Sequence, residues 1–281
     1  MKKLNVDLHT QTNYSLNGTK EPNYIIEKAK EEGIKVLSFT DHNTVEAYHN
    51  INLNNPDIKL VTGVEIDVNA NGTSLDLLCY DFDVDKVNEY TKTTYMSIQE
   101  RQQIIYDRLI NLCHEKGFEL EDISFNPDEY FAHAAIYHQL APKSPEFLKE
   151  YNMETYGDFY RLSTTEEDFP LYLNLSFIWP TIEEAVKVYK DAGAKVFIGS
   201  PYQYKAPFKE IINLCTDYID GIEITNPKNT PEQTRELIEY AKDNNLLMVS
   251  GSDFQGTEDR NELGAKVPDD ITEEDITNWI E

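Results

Sequence analysis

LNVDLH (4–9) and IKVLSFTDH (34–42) decide how this chain is read: two short apolar runs, each ending in an aspartate and a histidine. Between them, PNYIIEKAKEEG (22–33) has helical spacing, with Pro22 near its start and Gly33 at its stop. Strand, helix and strand in so short a span form the unit of a parallel sheet. Working outward, IKLVTGVEIDV (58–68) and SLDLLCYDF (74–82) read as further strands, the second behind an Asn71-Gly72 turn. Residues 95–116 are helical in pattern, and 118–178 are irregular and rich in Tyr, Phe and acidic residues. About 95–178 is therefore expected to be a helical insertion. The strand–helix rhythm resumes at PTIEEAVKVYKDAG (180–193), where Thr181 and Glu184 have capping-box spacing. AKVFIGSP (194–201), DGIEIT (220–225) and LLMVSGSDFQG (246–256) read as strands, and TPEQTRELIEYAKDNN (230–245) as a helix with Pro231 at its first position. The expectation is one α/β domain over 1–281, a distorted TIM-like (β/α)7 barrel carrying the insertion.

Composition sets further bounds. The chain has 281 residues and 40% are hydrophobic, enough for one sizeable core. No run of about 18 apolar residues occurs, so no membrane span is expected. The N-terminus MKKLNVDLHT has two lysines but no long apolar run behind them, and does not read as a signal peptide. Cys79, Cys113 and Cys215 are widely spaced and odd in number, which fits neither a disulfide framework nor a thiolate metal site. A cytoplasmic protein is the expectation. The formal net charge is −26 and no basic stripe is visible. On that ground nucleic acid is not expected as the main partner, although a bound cation would still attract an anionic substrate locally. Nothing in the sequence fixes the oligomeric state.

In a parallel barrel the reactive side chains sit at the C-terminal ends of strands. Here four separate runs end in such residues: Asp7 and His9, Asp41 and His42, Glu65, and Asp253. Each alone has a structural explanation, as a turn, a helix cap or a paired carboxylate. Four on converging strands point to chemistry, and imidazole with carboxylate suits Zn, Mn or Fe better than Ca. His49, His114 and His138 fall on helical patterns and read as ordinary residues.

In their order and spacing these residues resemble the PHP (polymerase and histidinol phosphatase) family. The carrying motifs are Asp7-Leu8-His9-Thr10-Gln11, Ser15-Leu16-Asn17-Gly18-Thr19, Thr40-Asp41-His42, Gly63-Val64-Glu65, Asp76-Leu77-Leu78-Cys79-Tyr80, Gly199-Ser200-Pro201, Asp220-Gly221-Ile222-Glu223-Ile224 and Gly251-Ser252-Asp253-Phe254-Gln255-Gly256. The resemblance covers both ends of the chain and is weakest over about 95–178. Against the family pattern, Gln11, Asp76, Ser200 and Gln255 stand where histidines are usual, and Asn17 where an aspartate is. The central family histidine falls near FAHAAIYHQL (131–140), at Ala135 or, two residues away, His133.

The resemblance implies up to three metals: a first site of His9, Gln11, Glu65 and Asp253, a second of Glu65, Asp76 and Ala135, and a third of Asn17, His42 and Gln255. The first keeps three strong ligands. Neutral amides hold a divalent cation less well than Asp or His, so one divalent transition metal (Mn, Zn or Fe) is expected. The implied activity is hydrolysis of a small phosphorylated metabolite at reduced rate. Asp41 and His42 would be catalytic, His9, Gln11, Glu65, Asp76 and Asp253 would serve the metal, and Asn17, Ser200 and Gln255 would contact substrate. Two other readings stay open: a non-catalytic protein that binds a ligand or a protein partner, and a changed reaction with Asp76 and Glu65 as acid and base.

Overall fold

The computed structural model describes residues 1–15, 17–121 and 123–280; Leu16 of the second motif lies outside them. The chain has a mixed α/β fold that divides into two compact units, residues 1–94 with 180–281, and residues 95–179.

The first unit begins with β1 (Lys2–Lys3), β2 (Val6–Thr10), α1 (Pro22–Glu31), β3 (Val36–Phe39), β4 (Lys59–Val61), β5 (Gly63–Ala70), β6 (Thr73–Tyr80) and α2 (Val84–Thr94). The inserted unit holds α3 (Ile98–Glu115), α4 (Ala132–Lys143), α5 (Pro145–Glu150) and α6 (Tyr156–Thr165). The first unit then resumes with α7 (Ile182–Asp191), β7 (Lys195–Ile198), α8 (Phe208–Cys215), β8 (Gly221–Thr225), α9 (Pro231–Asp243), β9 (Leu247–Ser250), β10 (Lys266–Val267) and α10 (Glu273–Thr277).

The helices form where the sequence supplies both a start signal and an apolar stripe. Thr181 caps α7 and Thr230 caps α9, each in a reciprocal capping box, with Glu184 and Gln233 as partners. α7 buries Ile182, Ala185, Val186 and Tyr189, and α9 buries Thr234, Leu237, Ile238 and Ala241, a three-four spacing that faces one side of a helix. Each large aliphatic side chain so buried contributes about 1.5–3 kcal/mol. Asn71 and Gly72 both have positive φ, 52° and 90°, as a tight hairpin between β5 and β6 requires.

The strands form three sheets rather than a closed barrel. β1 pairs with β10, β2-β3-β4 run parallel, and β5-β6-β7-β8-β9 form the largest sheet. In that sheet β6 is antiparallel to both β5 and β7, which breaks the strict strand–helix alternation. Single parallel bridges at Thr10–Phe254 and His42–Glu65 join the sheets. Among the described residues the strand ladder does not close into the expected distorted (β/α)7 barrel, while the mixed α/β content is as expected. One cause is visible at Thr62, where the expected strand over 58–68 splits and changes sheets. The Tyr48 hydroxyl sits in the break, accepting from the N–H groups of Phe39 (2.9 Å) and Gly63 (2.8 Å) and lying 2.7 Å from the Phe39 carbonyl. It fills the hydrogen bonds that a continuous ladder would supply. Gly63 is forced, because a Cβ there would lie 2.1 Å from Ser38 Oγ. The rings of Tyr80 on β6, Phe197 on β7 and Trp279 pack against one another edge-on or tilted, and Trp279 Nε1 donates to the Met248 carbonyl. No helix among the described residues is long and apolar enough to cross a membrane.

The inserted unit has its own core, including Leu109, Cys113, Ile136, Leu140, Phe159, Phe169 and Leu171. Its many aromatics pack on each other: the Phe169 ring meets those of Phe147, Tyr151 and Phe159. Ala135 belongs to this core. His133 is also buried, against the rings of Phe159 and Tyr160, and its Nε2 has no hydrogen-bond partner. Burial lowers its pKa from 6.5 to about 4. A histidine held neutral in the fold keeps its full stability contribution above the unfolded value and loses it as pH falls toward the folded value. Thermal unfolding between pH 7.5 and pH 4.5 is therefore expected to fall more steeply for the wild type than for His133→Phe, by an amount equivalent to roughly 3 kcal/mol at most. Parallel slopes for the two proteins would remove His133 as the cause.

Candidate active site

The strand ends of the first unit gather carboxylates, and each is held by donors that can be named. Asp7, on β2, is fully buried and accepts from Ser252 N (2.9 Å), Ser252 Oγ (2.6 Å) and Gly264 N (2.7 Å). Burial raises its pKa against these hydrogen bonds. Asp41 accepts from Thr12 N (2.6 Å) and Thr12 Oγ1 (2.7 Å), and burial lifts its pKa to about 6. Both aspartates tie together the loops that follow the strands. Gly251 lets the last of these loops approach β2, because a Cβ there would lie 2.3 Å from the His9 amide nitrogen.

His9 stands at the centre. Its Nδ1 lies 2.7 Å from Glu223 Oε1, and the other Glu223 oxygen accepts from Ser200 N (2.7 Å) and Ser200 Oγ (2.9 Å). That chain fixes the ring and aims Nε2 at a point between Glu65 Oε2 (3.3 Å) and Asp253 Oδ1 (3.9 Å). Nε2 is buried and has no hydrogen-bond partner. Burial alone would lower the pKa of His9, but Glu223 and Glu65 overcome it and hold it well above the ordinary value.

Around this centre Gln11 Nε2 donates to Glu65 Oε2 (2.8 Å), and Ser15 Oγ donates to Gln11 Oε1 (2.5 Å). His42 Nε2 lies 3.3 Å from the same Glu65 oxygen, and its Nδ1 lies 3.8 Å from Asp67 Oδ2. Burial works against protonation of His42, yet Glu65 and Asp67 prevail and raise its pKa to about 10. Glu65 itself is lowered, because His42 and His9 outweigh its burial. Asn43 Nδ2 donates to Asp67. Asp76 faces Asp67 across β5 and β6 and accepts from Gln203 Nε2 (2.5 Å). Desolvation first, and then Asp67 and Glu65, push its pKa well above the carboxylate range. Asp253 pairs with the Arg260 guanidinium and accepts from Gln255 Nε2 (3.1 Å).

The structure thus brings together His9, Gln11, His42, Glu65, Asp76, Ser200, Asp253 and Gln255 in one unit. Asp41 lies behind them with both oxygens engaged by Thr12. Asn17 is exposed on the loop after β2. Ala135 and His133 belong to the other unit. Residues that sequence reasoning passed over are Asp67, Arg260 and, as a site residue, Glu223. Glu223 had a signal, being the one charged residue in the apolar strand GIEIT. Asp67 had another, lying two positions from Glu65 and so on the same face of β5. Arg260 sits in a loop and carried none. Asn43, Ser200 and Asp253 all have left-handed backbone, φ 58°, 41° and 51°, a conformation that non-glycine residues keep only where the surroundings hold it.

Among the described residues, no group of three or more His, Cys, Asp or Glu is already arranged as a metal cage. The donor chemistry nevertheless fits a divalent ion. His9 Nε2 is an unsatisfied buried nitrogen, and the Glu65 and Asp253 carboxylates flank it.

The PHP domain family model matches residues 7–198. The 5'-3' exoribonuclease of Haemophilus influenzae is 25% identical over 97% of this chain and 97% of that protein. The 5'-3' exoribonuclease Rnm of Escherichia coli is 24% identical, over 93% of this chain and 88% of its own. Among solved structures, an amidohydrolase from Chromobacterium violaceum, with sulfate bound and no metal, superposes with TM-score 0.66 at 20% identity, over 94% of this chain and 92% of that one. A candidate metal-dependent phosphoesterase from Bifidobacterium adolescentis superposes with TM-score 0.59 at 19% identity, over 98% and 94%. At such identities the two structures speak for the fold. The exoribonuclease relatives overturn the exclusion of nucleic acid drawn from the charge of −26. That number sums the whole surface, whereas substrate meets only the charges within a screening length of about 8–10 Å.

Asp7 offers a direct check on how the site is held. Asp7→Asn places an amide N–H₂ against N–H and O–H donors and is expected to cost about 2–3 kcal/mol in urea unfolding. A change within about 0.5 kcal/mol would show that its hydrogen bonds do not hold the loops.

Proposed function

The chain belongs to the PHP domain family, and from that membership we propose that it is a metal-assisted phosphodiesterase that degrades RNA from the 5′ end. The observation that carries this reading is His9 Nε2, buried, without a hydrogen bond and flanked by the Glu65 and Asp253 carboxylates. Its support is the alignment of nearly the whole chain with 5'-3' exoribonucleases. The family implies a divalent metal, which His9, Glu65 and Asp253 would hold. When bound, such an ion supplies Lewis-acid polarisation of the phosphate oxygens and makes a water more acidic.

The protein's own groups would do the rest. Glu223 fixes the His9 ring and its tautomer, a role that outer partners of ligating histidines commonly take. Ser200 fixes Glu223 in turn. His42, with its pKa near 10, is an imidazolium at neutral pH and would hold a phosphate oxygen. Gln11 and Gln255 offer amide donors in the same space. Asp41 is re-read as a positioning residue that fastens the Thr12 loop beneath the site.

The test is release of mononucleotide from a short 5'-phosphorylated RNA with Mn²⁺ present. Glu65→Gln and Asp253→Asn are expected to lower kcat/KM by at least about 100-fold, worth roughly 3 kcal/mol of transition-state stabilisation, while circular dichroism stays native. Release of phosphate from small monoesters, with RNA left intact, would return the small-metabolite reading. Binding of RNA or metabolite without turnover would favour a binding protein. The net charge of −26 adds a kinetic signature. Two polyanions repel, so kcat/KM on RNA is expected to rise between about 10 and 150 mM salt, opposite to the fall seen for basic nucleic-acid binders. A falling curve would mean that a local positive field governs encounter instead.

A further inference from the structure

We propose that Arg260 is an internal counter-ion of the metal-free site: its guanidinium holds Asp253 and must withdraw before a divalent cation can bind, so it sets the metal affinity. The proposal rests on the reading of His9, Glu65 and Asp253 as the ligand set.

The geometry begins with the loop after β9. Gln255 N and Gly256 N both donate to the Arg260 carbonyl, at 3.0 and 2.9 Å. These bonds fold residues 255–260 back on themselves and return the guanidinium to Asp253. Both side chains of the pair are mostly buried, at 17% and 11% exposed. Asp253 Oδ2 pairs with Arg260, and Asp253 Oδ1 accepts from Gln255 Nε2. Each oxygen of Asp253 thus already accepts from a donor, and the charged one is Arg260. Across the site the Gln11 amide donates to Glu65 in a similar way, through a bond between neutral and charged groups. His9 Nε2 makes no hydrogen bond and has the Glu65 carboxylate, at 3.3 Å, facing it.

A cation that reaches Nε2 must also take an oxygen of Asp253, which lies 3.9 Å from it. It then meets a guanidinium in contact with the same carboxylate. A guanidinium does not deprotonate within the range of protein chemistry, so the conflict cannot be relieved by loss of a proton. Displacement is the route left. The free energy of a buried pair is then subtracted from that of metal binding, since removing one partner from such a pair is costly. The loop's own hydrogen bonds are main-chain bonds, so substituting the Arg260 side chain leaves them in place.

The test is Mn²⁺ affinity of the full chain, freed of metal, by equilibrium dialysis with metal analysis. Arg260→Gln removes the competing charge and is expected to bind Mn²⁺ about 10-fold tighter than wild type, on the scale that groups around metal ligands usually command. Detectable binding by Arg260→Gln alone supports the proposal equally. Arg260→Lys keeps the charge but replaces the planar guanidinium on Asp253 Oδ2 with a flexible, more strongly hydrated ammonium, and is expected to bind about threefold tighter. It decides the matter should Arg260→Gln fail to fold. The metal-free Arg260→Gln protein is expected to melt below wild type, and the Mn²⁺-loaded one to recover. Equal or weaker Mn²⁺ binding by a folded variant overturns the proposal, as does binding by none of the three proteins. RNA hydrolysis measured in parallel separates the two readings. Tighter Mn²⁺ binding without RNA cleavage removes only the functional one. RNA cleavage with unchanged affinity removes only this one.

Discussion

Carboxylates crowded at the strand ends, with few cations to meet them, are the constraint on which the rest of the first unit depends. Asp7, Asp41, Glu65, Glu223 and Asp253 are all buried. An ionised carboxylate withdrawn from water is costly unless donors replace its hydration. Each is met differently here. Asp7 takes main-chain N–H groups from the loop after β9, and Asp41 takes the Thr12 loop. Glu223 takes Ser200 and His9, and Asp253 takes Arg260. Glu65 is shared among His9, His42 and Gln11. Asp76, opposite Asp67, has its pKa raised by desolvation and by that neighbouring carboxylate, and accepts from Gln203. The loops are where they are because the carboxylates need their donors.

The same demand interrupts the sheet. A main-chain N–H that turns to a side-chain carboxylate cannot also serve a ladder. Register shifts fall between Asp7 and Thr10 and between Glu223 and Thr225, beside residues whose side chains build the site. The bridges that join the sheets, Thr10–Phe254 and His42–Glu65, are single pairs at those ends. The left-handed residues Asn43, Ser200 and Asp253 lie there too. Ser200 shows how such backbone is kept: Glu223 accepts from both its amide and its hydroxyl. Strand pairing is given up where side-chain chemistry is gathered.

This explains which parts could be read from the sequence. Helix starts at Thr181 and Thr230 and the Asn71-Gly72 turn are local, so capping and turn chemistry are visible in a few residues. Strand-end polar residues were visible for the same reason. The split at Thr62 was not, because it depends on the Tyr48 hydroxyl reaching in from outside the strand. α2 and α8 were passed over as well. The difference between Asp41 and Glu65 was also hidden. Both are buried carboxylates at strand ends, and only the Thr12 contacts show that Asp41 is spoken for. Arg260 lay beyond local reasoning altogether, since nothing in a loop arginine announces its partner.

The reading of charge failed for a related reason. A net value of −26 treats the surface as one body. Within the site the balance is set by pairs. His42 sits beside Glu65 and Asp67, and its pKa near 10 means that they favour its charged form over its neutral form. A group raised in this way contributes stability in full below its ordinary value of 6.5 and loses it progressively as pH climbs from there to about 10. Within the site His42 is thus favoured as a positive group while Glu65 and Asp67 face it, whatever the charge of the rest of the surface. Under the proposed function a phosphate would meet His42 directly, together with the Glu65 and Asp67 carboxylates that face it. Repulsion by the surface governs how fast a polyanion arrives, and the pairs within the site govern what happens once it has. An acidic exterior and a nucleic-acid substrate are compatible because they act on different steps.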